Sequence, residues 1–260
     1  MSAASNYIDI TGSEQSDFVY RIIETSYLFD LLQSKQNVLV RPRKWDDPFE
    51  NFILRSHLLR KGEPVAIAHR DHFYGQCWTR HAASDAMWRI YSPNSRAVRI
   101  RSTYRRLQES LGNWRGPWTV QEAFIGRVRY LSTPKLIAFG RRVLQGLEGQ
   151  LTHRNLARTL LVKRPAFTHE REVRLLFTPH DFDNFVGDLV RYPVDPGALI
   201  DQVMIDPRMD KTDAIVLKNK IRAAGFAGDI KQSQLYAAPP DLLVPWPPKP
   251  DLSSGPSISH

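Results

Sequence analysis

The stretch that decides the fold is Lys163-Arg164-Pro165-Ala166-Phe167-Thr168-His169-Glu170-Arg171-Glu172-Val173-Arg174-Leu175-Leu176-Phe177. It ends in an apolar, strand-like run that opens with two carboxylates two positions apart. Residues two apart on a strand share a face. The spacing therefore predicts Glu170 and Glu172 on one face, with His169, Arg171 and Val173 on the other. An upstream stretch has the same mixed character: Gln76-Cys77-Trp78-Thr79-Arg80-His81, then Asp85-Ala86-Met87-Trp88-Arg89-Ile90-Tyr91. A plain core would need neither the charges nor so many aromatic rings.

Working outward, strand-like runs are expected at 18–23, 37–41, 73–78, 97–101, 123–131, 173–177, 189–194, 200–205 and 230–235. Helices are expected after Thr25-Ser26, from the Asp46-Asp47-Pro48 turn through Leu59, from Ser84-Asp85, over 103–111, over 134–161 with a break near Gly146 to Gly149, and over 212–224 with Gly225 as the stop. Strands and helices mix without regular alternation, which predicts an α+β fold rather than a doubly wound parallel sheet. Residues 1–16 are polar and expected to be loose. Residues 17–236 form one α+β domain in this reading. From 237 the chain is an extended Pro-rich tail carrying Pro239, Pro240, Pro245, Pro247, Pro248 and Pro250.

Across 260 residues, 42% are hydrophobic, enough for a substantial core. No apolar run is long enough to span a bilayer, and the first residues lack the basic start and apolar stretch of a secretory signal. A single cysteine, Cys77, excludes an internal disulfide and fits a reducing cytoplasm. Lying in an apolar strand, Cys77 is expected to be buried and inert. No cysteine pair or His-carboxylate cluster has metal-ligand spacing, so no metal is assigned. The net charge is +9. Its arginines cluster at Arg41 and Arg43, at Arg96, Arg99, Arg101, Arg105 and Arg106, at Arg127 and Arg129, and at Arg141 and Arg142. A basic surface suits phosphates, so DNA, RNA or a phosphate-bearing small molecule is the expected partner; scattered solvated charge explains the same count.

Five segments, taken in order, carry a resemblance. They are Val19 to Ile23, Asp46-Asp47-Pro48-Phe49-Glu50, Cys77-Trp78-Thr79, Met87-Trp88-Arg89-Ile90-Tyr91 and Lys163 to Arg174. Together they resemble the bacterial family numbered twenty-nine seventy-one among the domains of unknown function, over residues 18 to 235. Asp46 stands where that family has asparagine, Trp78-Thr79 where it has phenylalanine-serine, and Phe167 where tryptophan is common. Pro93-Asn94-Ser95 replaces an Ala-Asp stretch. A more remote likeness is to the ADP-ribosyltransferases, through the early Tyr20-Arg21 strand and the late strand opened by Glu170-x-Glu172. That likeness implies a mixed, mostly antiparallel sheet flanked by helices, and NAD as substrate. It also implies Glu172 and Glu170 as catalytic carboxylates, with Tyr20, Arg21, Trp88, Tyr91 and Arg174 binding NAD.

These residue types suit that chemistry. Breaking the glycosidic bond to nicotinamide gives the ribose carbon oxocarbenium character, which a carboxylate can stabilise. A second carboxylate can orient or deprotonate the acceptor. Arginine clamps a pyrophosphate in a fork that lysine cannot offer, and an aromatic ring can stack on a base. The implied activity is ADP-ribosyl transfer, with nucleic acid as an acceptor that the basic surface favours and a toxin or anti-phage role. Three alternatives stay open at this point. Glu170 and Glu172 can simply pair with Arg171, Arg174 or Lys163, while Trp88 packs in the core. The arginines can serve a non-catalytic nucleic-acid-binding module. Asp46, Asp47, Glu50 and Glu172 can hold a divalent ion in a nuclease.

Overall fold

The computed structural model describes residues 6–45, 47–67, 70–116, 122–146, 152–241 and 243. Asp46, the expected helix break at 147–149 and most of the Pro-rich tail lie outside them. The strands are β1 Tyr7–Ile8, β2 Phe18–Glu24, β3 Gln36–Val40, β4 His57–Arg60, β5 Glu63–Ala66, β6 Tyr74–Thr79, β7 Ala97–Thr103, β8 Ala123–Arg127, β9 Arg129–Tyr130, β10 Val162–Lys163, β11 Glu172–Phe177, β12 Leu189–Pro193, β13 Gln202–Ile205 and β14 Asp229–Gln232. Ten of them join one sheet, in the order β1-β8-β11-β6-β2-β7-β13-β14 with a β3–β12 ribbon attached to β6. Only β1–β8 and β13–β14 pair parallel in it. The architecture is α+β, with a mixed, mostly antiparallel sheet and helices against it.

The sheet is forked at β6. β6 meets β2 at a single pair, Tyr20↔Thr79, and meets β3 at a single pair, Val40↔Gly75. Between those two points Gln76, Cys77 and Trp78 have no strand partner on that side among the described residues. β2 instead runs on as a seven-pair ladder with β7, and β3 turns away with β12 over five pairs.

One face of the sheet presents Val19, Ile23, Trp78, Val98, Ile100, Val173 and Leu175 to the main core. Helix α1 (Thr25–Ser34) covers them with Leu28, Leu31 and Leu32. The helix Tyr104–Arg115 adds Tyr104, Leu107 and Leu111, and begins where Thr103 Oγ1 accepts from the Arg106 amide. On the other face Phe124 and Leu176 pack with Leu156, Leu160 and Leu161 in a second core. Every residue of β11 is therefore buried. A strand covered on both sides reads as a continuous apolar run, and Glu172 and Arg174 break that run on the face of the second core.

Several local expectations need correction. Glu170 does not lie on a strand. It ends a 3-10 turn over Pro165–Glu170, and Arg171 follows at φ 42° in the left-handed region. That kink, not strand periodicity, sets the relation between the two glutamates. The helix expected through Leu59 stops at Arg55, and β4 and β5 form a hairpin instead; its turn, Lys61-Gly62, has positive φ at both residues, which favours that connection. The run 123–131 divides after Arg127: β8 stays in the main sheet while β9 pairs parallel with β10. The segment expected to be loose before residue 17 carries β1 and a 3-10 turn over Ser13–Ser16.

Gly126 lies opposite Arg174 on β11. A Cβ there would sit 2.3 Å from Leu161 Cδ1 and 3.0 Å from Ile8 Cβ. Overpacking of this kind costs about 1–3 kcal/mol. Gly126→Val is expected to lower unfolding stability by that amount in urea titration, whereas Ala in place of the exposed Gly12, which has open space around it, is expected to leave it unchanged.

Candidate active site

The charges that interrupt β11 are resolved by a buried ionic cluster. Arg174 grips Glu172 through Nε to Oε1 and Nη2 to Oε2, both at 2.9 Å. The same Nη2 reaches Glu50 Oε1 at 2.8 Å, and Nη1 donates to the Leu160 carbonyl at 2.6 Å. Its plane lies 4.3 Å from the Trp45 ring. Lys163 Nζ, delivered by β10, contacts Glu50 at 2.8 Å, Glu170 at 2.6 Å and Glu172 at 3.4 Å. Arg174 is 0% exposed and Glu172 5%. At such depth an unpaired ion would be prohibitive, so the residues satisfy one another. Of the three cations expected to pair with the glutamates, Lys163 and Arg174 do so; Arg171 is exposed and makes no such pair.

The cluster sets the protonation states. For Glu172, burial works against the charge, but Arg174 and Lys163 outweigh it and hold the carboxyl below the ordinary range. Glu50 goes the other way: burial, the largest influence, raises it despite the same two cations. Lys163 is raised, because Glu172, Glu170 and Glu50 overcome its desolvation. Burial and then Glu172 push the Cys77 thiol well up, so it is no thiolate nucleophile.

A hollow of about 160 Å3 opens at the fork. Tyr20, Arg21, Cys77, Tyr91, Glu170 and Glu172 are among the residues lining it. A larger groove of about 630 Å3 continues from it, sharing Arg21, Cys77, Tyr91, Glu170 and Glu172 and adding Trp45, Lys163 and Phe167. That volume falls in the range of small-molecule sites. Arg21 also lines a third hollow of about 290 Å3, with Gln76 and Trp78. Arg21 pairs with Ile100, on the sheet face opposite that of Tyr20 and Glu172, and the residue borders hollows at the gap between β2 and β6. Among the described residues no carboxylate pairs with it, and desolvation pulls its pKa down. Tyr91 Oη donates to Glu170 Oε1 at 3.2 Å. Thr79 Oγ1 donates to the Glu170 carbonyl at 2.6 Å, and the Glu172 amide donates to Tyr130 Oη at 2.8 Å.

The structure therefore brings together Tyr20, Arg21, Tyr91, Glu170 and Glu172. Two expected NAD-binding residues lie elsewhere. Trp88 is 1% exposed and packs inward, while Met87 and Tyr91 of the same helix, α3 (Asp85–Tyr91), line the hollow. Residues three apart on a helix differ by roughly 60° in direction, enough to separate Trp88 from Tyr91. Arg174 lies beneath the hollow and lines none of these spaces; it holds Glu172 rather than a ligand. Sequence reasoning passed over Lys163 as a site residue, although its place in the decisive stretch is a usable signal, and Glu50 as anything but a metal ligand. Of the nuclease grouping, Glu50 and Glu172 are paired with Lys163 and Arg174, and Asp47 with Arg164 at 2.9 Å; Asp46 lies outside the described residues. Among the described residues no group of His, Cys, Asp and Glu is arranged to hold a metal ion.

The arginine clusters also sort differently from their order in the chain. Arg43 pairs with Asp188, Arg101 and Arg106 with Asp201, and Arg127 with Glu14. Arg80, Arg99 and Arg171 have no carboxylate partner among the described residues, and Nε of Arg80 and of Arg99 is buried without a hydrogen bond. The register places Arg80 and Arg171 next to the Thr79↔Glu172 pair, and Arg99 on β7 opposite Ile22. Arg99 lies 4.7 Å from the Tyr20 ring. Burial and the neighbouring Arg127 and Arg171 charges depress the pKa of Arg80.

Fold and site define an α+β protein with a forked sheet and a charged cleft at the fork. No family model and no curated protein matches the chain, so the numbered family remains a resemblance of motifs. Among solved structures the chain is similar to Thermus sp. 2.9 DarT in complex with carba-NAD+, at 10% sequence identity and a TM-score of 0.39, over 85% of this chain and 97% of that one. It is similar also to the same protein in complex with ADP-ribosylated ssDNA, at 9% identity and a TM-score of 0.39, over 87% and 98% of the respective chains. Among the described residues no helix is long and apolar enough to cross a membrane.

The two sides of the cleft respond oppositely to substitution. Glu172→Gln breaks a buried pair and is expected to cost about 3–5 kcal/mol. Arg21→Met removes a desolvated cation without a partner and is expected to leave stability unchanged or raise it by about 1 kcal/mol. Because the folded pKa of Glu172 is lowered, its contribution is complete above the unfolded glutamate value of about 4.3 and is lost as pH falls through the folded value. Urea titrations of the wild type and both variants at neutral and acidic pH check both expectations: the gap between wild type and Glu172→Gln narrows on acidification.

Proposed function

We propose that the protein transfers ADP-ribose from NAD to a nucleic-acid acceptor. The observation that carries this reading is the placement of an arginine without a carboxylate partner, Arg21, in one hollow with the ionised Glu172 and with Glu170. Stability alone gives no reason to keep a desolvated guanidinium there; an anionic ligand does. In this reading Arg21 takes the pyrophosphate in a fork. Tyr20 and Tyr91 supply ring surfaces. The bond between ribose C1′ and the nicotinamide nitrogen breaks, nicotinamide leaves neutral with the electron pair, and Glu172 stabilises the oxocarbenium-like carbon through the ribose hydroxyls. The acceptor attacks that carbon, and its proton passes to Glu170. Arg80 and Arg171, which flank the paired Thr79 and Glu172, support a phosphodiester acceptor. A toxin or anti-phage role is the biological form such chemistry would take.

The test is nicotinamide release from NAD with single-stranded DNA or RNA present. Wild type is expected to release nicotinamide and label the nucleic acid. Arg21→Met is expected to raise KM for NAD by tenfold or more, and Glu172→Gln to lose at least a hundredfold in kcat, both checked for folding by circular dichroism. A purely nucleic-acid-binding protein would instead consume no NAD and bind DNA with a steep salt dependence that Glu172→Gln leaves untouched. That outcome, or normal NAD turnover in Glu172→Gln, overturns the transfer reading.

A further inference from the structure

Lys163 touches three carboxylates at once, those of Glu50, Glu170 and Glu172, at 2.6–3.4 Å. β10 puts it there, since Lys163 pairs in register with Tyr130 on β9, and the Tyr130 hydroxyl accepts the Glu172 amide. The Phe167 ring lies 4.5 Å from the ammonium and helps close it off. The division of labour with Arg174 is uneven. Arg174 is committed to Glu172 and Glu50; among the described residues the Glu170 carboxylate has only Lys163 and the Tyr91 hydroxyl. Carboxylates packed this closely cannot all ionise unless a cation stands between them. The titratable and charged groups facing the ammonium are Glu50 before the Phe52–Arg55 turn, Cys77 on β6, Tyr91 on α3, Tyr130 on β9, Glu170, and Glu172 with Arg174 on β11.

We propose that Lys163 is a positioning residue for ADP-ribosyl transfer: its ammonium bridges the carboxylates of Glu170 and Glu172 and keeps them together, aimed at one ribose. It rests on the transfer reading given above. Glu50 shares the ammonium with them at 2.8 Å. Lys163 acts through the two glutamates that meet the ribose.

Two measurements on the full chain, wild type against Lys163→Met, test it. The first is the titration of glutamate side-chain carboxyls by carbon-13 NMR; the second is the pH profile of nicotinamide release at several NAD concentrations. In the variant, a site glutamate is expected to titrate at least about one pH unit higher, and the acid limb of kcat to move up with it. KM for NAD is expected to stay within about twofold, which simple loss of folding would not produce. Lys163→Arg, which restores the charge, is expected to return the limb to its wild-type position at reduced kcat. Should Lys163→Met not fold, the double variant Lys163→Met with Glu50→Gln keeps the net charge of the cluster and is read the same way, because Glu170 still lacks its ammonium. An unshifted titration overturns the positioning role whether or not NAD is consumed. A shifted titration in a protein whose wild type never releases nicotinamide overturns the transfer reading, and with it the role of Lys163 in catalysis.

Discussion

The two-pronged contact of Arg174 with Glu172 is the constraint around which the rest of the structure is arranged. Both residues sit in a strand covered on both faces, where neither charge could exist alone. Once they are placed, the neighbours follow. Trp45 covers the guanidinium, Leu160 offers its carbonyl, Glu50 takes the remaining donor, and Lys163 offsets the acids left over. Cys77 and Gly126 flank Arg174 across the sheet, small enough to admit it. Such a cluster is a poor source of net stability compared with apolar packing of the same volume. Its presence is better explained by what it does to the carboxylates at the cleft.

Chemistry and architecture meet at the fork. A sheet of continuous ladders would close over β6 and leave no room beside Gln76, Cys77 and Trp78. Here β2 and β3 each touch β6 once and then diverge, so strands frame the gap, while Glu170, Trp45 and Phe167 reach it from turns. Arg21 gains its position from this gap: on a continuous sheet it would be an unpartnered ion within the core.

Much of the fold was legible because β2, β6, β7, β11 and β13 are short apolar or alternating runs bounded by breakers. What could not be read was governed by non-local contacts or by single residues. Nothing in the period of Glu170-Arg171-Glu172 announces that Arg171 adopts a left-handed conformation; arginine rarely does. The two carboxylates nevertheless converge, because Lys163 gathers them, so their association was visible while its cause was not. Trp88 was placed by residue type, as a ring suited to stacking, and its burial shows that bulk decided instead. The arginine clusters misled for a related reason: neighbours in sequence such as Arg101 and Arg106 are neutralised by Asp201, while Arg80 and Arg171, far apart in sequence, are brought together at the ends of β6 and β11.

The single-pair junction between β2 and β6 has a mechanical consequence. The ladder from β1 to β6 and the ladder from β2 to β14 are each stitched by several pairs, yet one rung joins them directly. Shear between those two plates would concentrate at that rung, and the vacant space lies beside it. Any molecule lodged in the gap would act as a wedge glued to both plates, stiffening a seam held by one rung.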